Sequence, residues 1–171
     1  MTIEPLFSAA QIAAAVQRMA VELEAHYGNE RPVKVLALMN GALWFAADLL
    51  RLLPPNFLLE TVRVSSYGAG RETSGRLSWK SPAPYCEGQR VLVLDDVLDS
   101  GITLTAVRRE LLRLGAAEVR TAVVVDKPSG RQEDCQADYV GFTAPGGFLV
   151  GYGMDANELY RNMPYIGVVR D

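Results

Sequence analysis

The run from Val91 to Thr105, VLVLDDVLDSGITLT, leaves few folds open to the chain. Its apolar start, Val91 to Leu94, suits a strand buried on both faces of a parallel sheet. Two carboxylates, Asp95 and Asp96, follow where that strand is expected to emerge. After Val97 and Leu98 comes a compact Asp99-Ser100-Gly101 turn, and then Leu104, Val107, Leu111 and Leu114 recur at helical spacing. The order predicted is strand, acidic edge, anion loop, helix. Small polar residues at a helix start can turn several backbone N–H groups toward one point, where the helix end adds about half a positive charge. A phosphate fits such a loop. Asp95 and Asp96 would repel that phosphate without a cation between them, but they can accept hydrogen bonds from sugar hydroxyls or hold a hydrated Mg²⁺. The stretch therefore points to a phosphorylated sugar with a metal beside it.

Two plainer readings compete. Apolar residues followed by Asp-Asp also occur in nucleotide-hydrolysing P-loop proteins, but the partner those proteins require, G-x-x-x-x-G-K-[ST], is absent. The run could also be an ordinary joint in which Asp99 or Ser100 merely caps the helix. The paired acids and the complete Asp-Ser-Gly-Ile-Thr loop weigh against that.

At 171 residues, with 49% hydrophobic and 22% charged side chains, the chain is expected to fold as one α/β domain, residues 1–171, with a real core. A net charge of −3 argues against a nucleic-acid-binding surface. No apolar run reaches membrane-spanning length, and the start, MTIEPLF, carries no secretory pattern. Cys86 and Cys135 lack metal-ligand spacing and read as reduced thiols, so a cytoplasmic location is expected. The single histidine, His26, has no second ligand near it and reads as a surface residue at a helix end.

Ser8 and Gln11 form a capping-box pattern ahead of an amphipathic helix carrying Ile12, Val16, Met19 and Leu23. Val33 to Met39 reads as a second buried strand, ended by Asn40-Gly41, with a helix following through Leu43, Ala46, Ala47 and Leu50 until Pro54-Pro55. The Asn40-Gly41 joint is another place where backbone amides can face an anion, though by itself a weak signal. Phe57 to Tyr67 has strand character, and GAGRETSG after it is expected to be a mobile loop, with Arg76 to Lys80 as the returning strand. Val119 to Val125 is a further buried strand that delivers Asp126-Lys127 to its carboxyl end, where open α/β sheets bind ligands. Phe148 alone suits a core equally well. Gly151 to Ala156 fits a loose G-x-G-x-x-A pattern, but the following sequence leaves no room for a dinucleotide-binding unit.

LDDVLDSGITL resembles the phosphoribosyl pyrophosphate motif of the type I phosphoribosyltransferases, and LALMNGALWFAADLL is similar to the hypoxanthine-guanine branch of that family. With Asp126-Lys127 and the GFLVGYGMD segment, the resemblance runs from Val33 to Val169. It implies a twisted, mostly parallel sheet flanked by helices, with a small hood from the N-terminal and C-terminal parts and a lid over about residues 66–80 opened by Ser66-Tyr67. It also implies purine salvage: transfer of a phosphoribosyl group to hypoxanthine or guanine, with xanthine as a possible further base. The regulator alternative, binding the same ligand without chemistry, usually needs a nucleic-acid surface. By the same resemblance, Asp95 and Asp96 hold the ribose hydroxyls, and Asp99, Ser100, Gly101, Ile102 and Thr103 hold the 5′-phosphate. Asp99 also faces the purine and moves a proton. Asn40, Gly41 and Arg161 bind pyrophosphate, around a cis Met39-Asn40 peptide. Many relatives carry Lys at the Asn40 position. Lys127, Phe148, Leu149 and Asp155 bind the purine; Mg²⁺ is the cofactor, held by Asp155, Asp95 and Asp96 partly through water. Small-molecule substrates and a homodimer or homotetramer complete the expectation.

Overall fold

The structure is a computed structural model that describes residues 2–66 and 77–170. Its centre is a five-stranded parallel sheet in the order β3-β2-β6-β7-β8: Phe57–Val62, Val33–Leu38, Arg90–Leu98, Glu118–Asp126 and Tyr139–Thr143. The predicted class is the observed one. Alternation along the strands splits the core in two. Val35, Ala37, Leu92, Leu94, Ala122 and Val124 face α1 (Ala9–Tyr27) and α2 (Leu43–Leu50). Leu36, Leu38, Val91, Val93 and Val123 face α3 (Ile102–Arg113) through its Leu104, Val107 and Leu111. A parallel strand must be apolar on both faces because crossover helices cover both, which is why β2 and β6 read as unbroken apolar runs. Burying each such Leu or Val contributes about 1.5–3 kcal/mol.

The α1 start forms as expected: Ser8 Oγ accepts from Gln11 N, and Gln11 Oε1 accepts from Ser8 N, at 3.2 and 2.8 Å. The α3 start differs from the capping alternative. Gly101 is its N-cap, in left-handed conformation with φ 82°, and supplies no side chain.

Two boundaries differ from expectation. β6 continues through Asp95 and Asp96 to Leu98, because β7 pairs with it that far, from Arg90↔Glu118 to Leu98↔Asp126. The segment after Phe57 is two strands: the chain leaves the main sheet at Arg63, and β4 (Val64–Ser66) pairs antiparallel with β5 (Leu77–Trp79). The start and end of the chain come together, as the implied hood requires. β1 (Thr2–Phe7) pairs antiparallel with β10 (Ile166–Arg170), which pairs with β9 (Phe148–Val150), giving a three-stranded sheet of N-terminal and C-terminal segments. Tyr67 and the rest of the expected lid loop up to Arg76 lie outside the described residues. None of the described helices is long and apolar enough to cross a membrane.

The strand order places the site. From β2 the chain moves one way, to β3, and from β6 it moves the other way, to β7 and β8. Between β2 and β6 lies the switch point of the sheet. In open α/β sheets the crevice at the carboxyl ends of those strands receives ligands. Asn40-Gly41 ends one of them and Asp95 to Thr103 completes the other.

Candidate active site

Pairing of β6 with β2 stops at Ala37↔Leu94, so past that point β6 has lost one neighbour. Its own acids take over part of the bonding. Asp95 Oδ1 accepts from Asp96 N at 3.0 Å, and Asp96 Oδ1 accepts from Val97 N at 2.7 Å. Burial and the adjacent Asp96 charge push the Asp95 carboxyl well above its ordinary value. Burial raises Asp96 too, opposed by its bonds to Val97 N–H and Asp95 and by the Arg161 guanidinium. Such a pair is poised to receive a cation or hydroxyl donors.

The raised values have a consequence for the metal-free protein. The folded state keeps protons that unfolded carboxylates lose above about pH 4, so stability falls as pH rises from there through the folded-state values. Asp95→Asn removes the strain. Its melting temperature, compared with wild type by calorimetry without metal, is expected to gain more at about pH 7.5 than at about pH 5. A gain equal at both pH values would mean that the pair is not strained.

On the other side of the switch point, the Met39-Asn40 peptide is cis, as the resemblance implied. Gly41 is held against β6 so closely that a Cβ there would overlap the Asp96 carboxylate. Gly153 in turn sits on the Gly41 carbonyl, where a Cβ would again overlap. These two contacts stack the C-terminal loop, the Asn40-Gly41 joint and the acidic pair. Gly41→Ala must displace Asp96 or the loop, and is expected to cut turnover about tenfold or more, since misplacing a catalytic group by about 1 Å costs up to about 10². Steady-state rates within twofold of wild type would show that the loop tolerates the shift.

The Gly153 loop carries Arg161. Its guanidinium donates to the Gly153 carbonyl at 2.7 Å and pairs with Asp155 Oδ1 at 2.8 Å and Glu158 Oε2 at 3.3 Å. Its Nε is buried and has no partner. An unpaired buried donor costs about 1–3 kcal/mol, and an anionic ligand would relieve it. Tyr152, Asn157, Glu158 and Tyr160 all hold positive φ in this short segment, a concentration of backbone strain typical of functional sites.

The anion loop is buttressed from behind. Ser100 Oγ accepts from Ile102 N at 3.3 Å, while the Ser100 carbonyl accepts from Gln132 N and Glu133 N at 2.8 and 3.0 Å. Arg131 donates through Nε to the Asp99 carbonyl at 2.9 Å and also binds Asp126 and the Cys135 carbonyl. Arg131 was not foreseen. Its partners are mostly backbone carbonyls that only the folded chain assembles. Lys127, 12% exposed, places Nζ 2.7 Å from Asp99 Oδ2.

Asp96, Asp99, Lys127, Leu149 and Asp155 line one cavity of about 160 Å³. Phe148 joins them and is 56% exposed, which removes it from the core. Of the expected purine-binding residues, all four are thus brought together. Val97 and Met154, which lie within the quoted motifs but had no assigned role, also line it. Ser66 lies in β4, outside that lining. Among the described residues no group of three or more His, Cys, Asp or Glu side chains is arranged to hold a metal ion. Asp155, expected beside Asp95 and Asp96, is instead joined to Arg161. The protein therefore offers a carboxylate pair, which suits a hydrated Mg²⁺ completed by waters and substrate oxygens. His26 is away from the cavity and contacts Glu118 Oε1 at 2.7 Å.

A profile of the phosphoribosyl transferase domain matches residues 3–157. The chain belongs to the phosphoribosyltransferase family. It is 40% identical to the hypoxanthine-guanine phosphoribosyltransferase of Aquifex aeolicus, over 91% of this chain and 88% of that one. Identity with the enzyme of the same name from Bacillus subtilis is 37%, over 96% and 92%. A crystal structure of a hypoxanthine phosphoribosyltransferase from Staphylococcus aureus superposes with a TM-score of 0.90 at 30% identity, covering 98% of this chain and 91% of that one. The crevice between β2 and β6, at the sheet's switch point, is the candidate phosphoribosyltransferase site.

Proposed function

We propose that this phosphoribosyltransferase acts in purine salvage, transferring the 5-phosphoribosyl group of phosphoribosyl pyrophosphate to hypoxanthine or guanine to give IMP or GMP and pyrophosphate. The observation that carries this reading is the single cavity joining Asp99, Lys127, Phe148, Leu149 and Asp155 to the acidic edge of β6. The relatives of that name, alike over most of their length, support it.

In this reading the loop Asp99 to Thr103 grips the 5′-phosphate with its backbone N–H groups, and Asp95 and Asp96 accept from the ribose hydroxyls. The ribose carbon C1′ is then held between the base in the cavity and the pyrophosphate at Asn40-Gly41. Phe148 offers its exposed face to the purine ring, and Leu149 meets the base through its backbone. Lys127 donates to the 6-oxo oxygen. As N9 bonds to C1′ and the C1′–oxygen bond to pyrophosphate breaks, the electron pair of that bond leaves with the pyrophosphate. Asp99 accepts the proton that the base gives up at N7. The buried Nε of Arg161 and the amides of Gly41 and its neighbours receive the charge that builds on the leaving group. Asp95 and Asp96, with waters, would hold a Mg²⁺ ion, which would supply positive charge toward the pyrophosphate.

The protein is read as cytoplasmic, acting on small-molecule substrates, and as a homodimer or homotetramer. The exposed side chains of Leu43 and Trp44 on α2 support self-association. The deciding experiment is release of pyrophosphate from phosphoribosyl pyrophosphate on addition of purines. Release that depends on hypoxanthine or guanine, with stoichiometric IMP or GMP, is expected. Tight binding of phosphoribosyl pyrophosphate with no release for any purine would make the protein a sensor of that ligand instead.

A further inference from the structure

Arg63 stands where the chain leaves the main sheet, one residue past the end of β3. Asn40 stands two residues past the end of the neighbouring strand β2, and the two strands run in register to Leu38↔Val62. Both are therefore at the ligand-binding end of the sheet, beside the switch point. The Arg63 guanidinium donates to Asn40 Oδ1 at 2.9 Å. Its backbone is tied to the β4–β5 hairpin: Arg63 N donates to Ser81 Oγ at 3.2 Å, and its carbonyl accepts from Lys80 N at 2.8 Å. The side chain is exposed and makes no ion pair among the described residues.

The cations of the cavity and of the loop beside it are committed differently. Lys127 is paired with Asp99, and Arg161 with Asp155 and Glu158. Arg63 has a neutral partner that uses one of five N–H donors, so its charge and most of its fork are available. Asn40 accepts that bond through its oxygen, which leaves its own side chain without charge to offer an anion at the Asn40-Gly41 joint.

We propose that Arg63 is a pyrophosphate-binding residue, held over the cis-peptide joint by Asn40 so that its guanidinium supplies the positive charge the joint itself lacks. Asn40 is then a positioning residue for Arg63. The inference rests on the reading of Asn40-Gly41 as the pyrophosphate subsite, and it predicts a distinctive pattern among variants.

The test is calorimetric binding of inorganic pyrophosphate with Mg²⁺ to the full chain, at low and high salt. Arg63→Gln should weaken binding about tenfold, the value of a hydrogen bond to a charged group, and more so at low salt. Arg63→Lys, which keeps the charge, should bind within about threefold of wild type. Asn40→Lys placed on Arg63→Gln should recover most of the loss. Arg161→Gln serves as the control for the subsite. If Arg63→Gln binds within twofold of wild type while Arg161→Gln loses binding, the subsite stands and Arg63 has no part in it. If Asn40→Lys, Arg63→Gln and Arg161→Gln all leave pyrophosphate binding unchanged, the subsite reading falls together with the proposal. Should Arg63→Gln fold poorly, Arg63→Lys and Asn40→Ala decide: Asn40→Ala frees the guanidinium, and binding equal to wild type in that variant would overturn the positioning role.

Discussion

Asp99→Asn is expected to keep the fold and the anion loop while losing about 10²–10⁴ in turnover, the usual contribution of a general acid or base. The loop does not depend on the carboxylate. Asp99 is tied to Arg131 through its backbone carbonyl, and the loop carbonyl of Ser100 to Gln132 and Glu133, so an amide of the same shape leaves those bonds in place. What changes, in the proposed reading, is the group that faces the base. An amide accepts no proton, and it meets Lys127 Nζ, now 2.7 Å from Asp99 Oδ2, without a compensating charge. Saturating-substrate kinetics and pre-steady-state binding of phosphoribosyl pyrophosphate separate the two effects. Binding near wild type with turnover reduced as stated supports the proton-transfer role. Turnover within threefold of wild type removes Asp99 from the chemistry.

Base choice is expected to rest on Lys127. An ammonium group has three donors and no acceptor, and Asp99 takes one of them, leaving others for the 6-oxo oxygen of hypoxanthine or guanine. The 6-amino group of adenine presents another donor. A site built on a buried polar contact rejects the analogue lacking it by about 10⁴. Lys127 is 12% exposed, so water does not readily replace the missing partner. Lys127→Ala should reduce kcat/KM for hypoxanthine and guanine together by about 10²-fold, as befits a charge-assisted hydrogen bond, with the constant for phosphoribosyl pyrophosphate nearly unchanged. A variant that loses affinity for phosphoribosyl pyrophosphate alone would assign Lys127 to the other substrate.

The acidic edge and anion loop of the candidate site were legible because they lie in one contiguous run, whereas Asn40, Lys127, Phe148, Leu149, Asp155 and Arg161 were expected through the resemblance. Asp95 to Thr103 needs β6 to be a strand and α3 a helix, and both are announced by periodicity. Arg131 and Arg63 were not legible. Each acts through contacts made only when β7, the loop after it, or the β3–β4 switch has been folded into place. β1 escaped for a different reason. Its six residues include Pro5, and its burial follows no clean alternation, so nothing local marks a strand whose partner is the far end of the chain. The length of β6 was likewise set by its neighbour. Asp95 and Asp96 have poor strand propensity, yet β7 continues beside them to Asp126. Asp155 entered the expected metal set through the resemblance alone; in the folded chain its carboxylate is joined to Arg161.

The most direct test of the account is the ratio of kcat/KM for guanine to that for adenine in the wild-type protein, measured by nucleotide formation with saturating phosphoribosyl pyrophosphate and Mg²⁺. The account predicts formation of IMP and GMP and a guanine-to-adenine ratio of about 10⁴. A ratio near unity would contradict it, because a cavity read by Lys127 as a 6-oxopurine site could not accept a 6-amino group equally well.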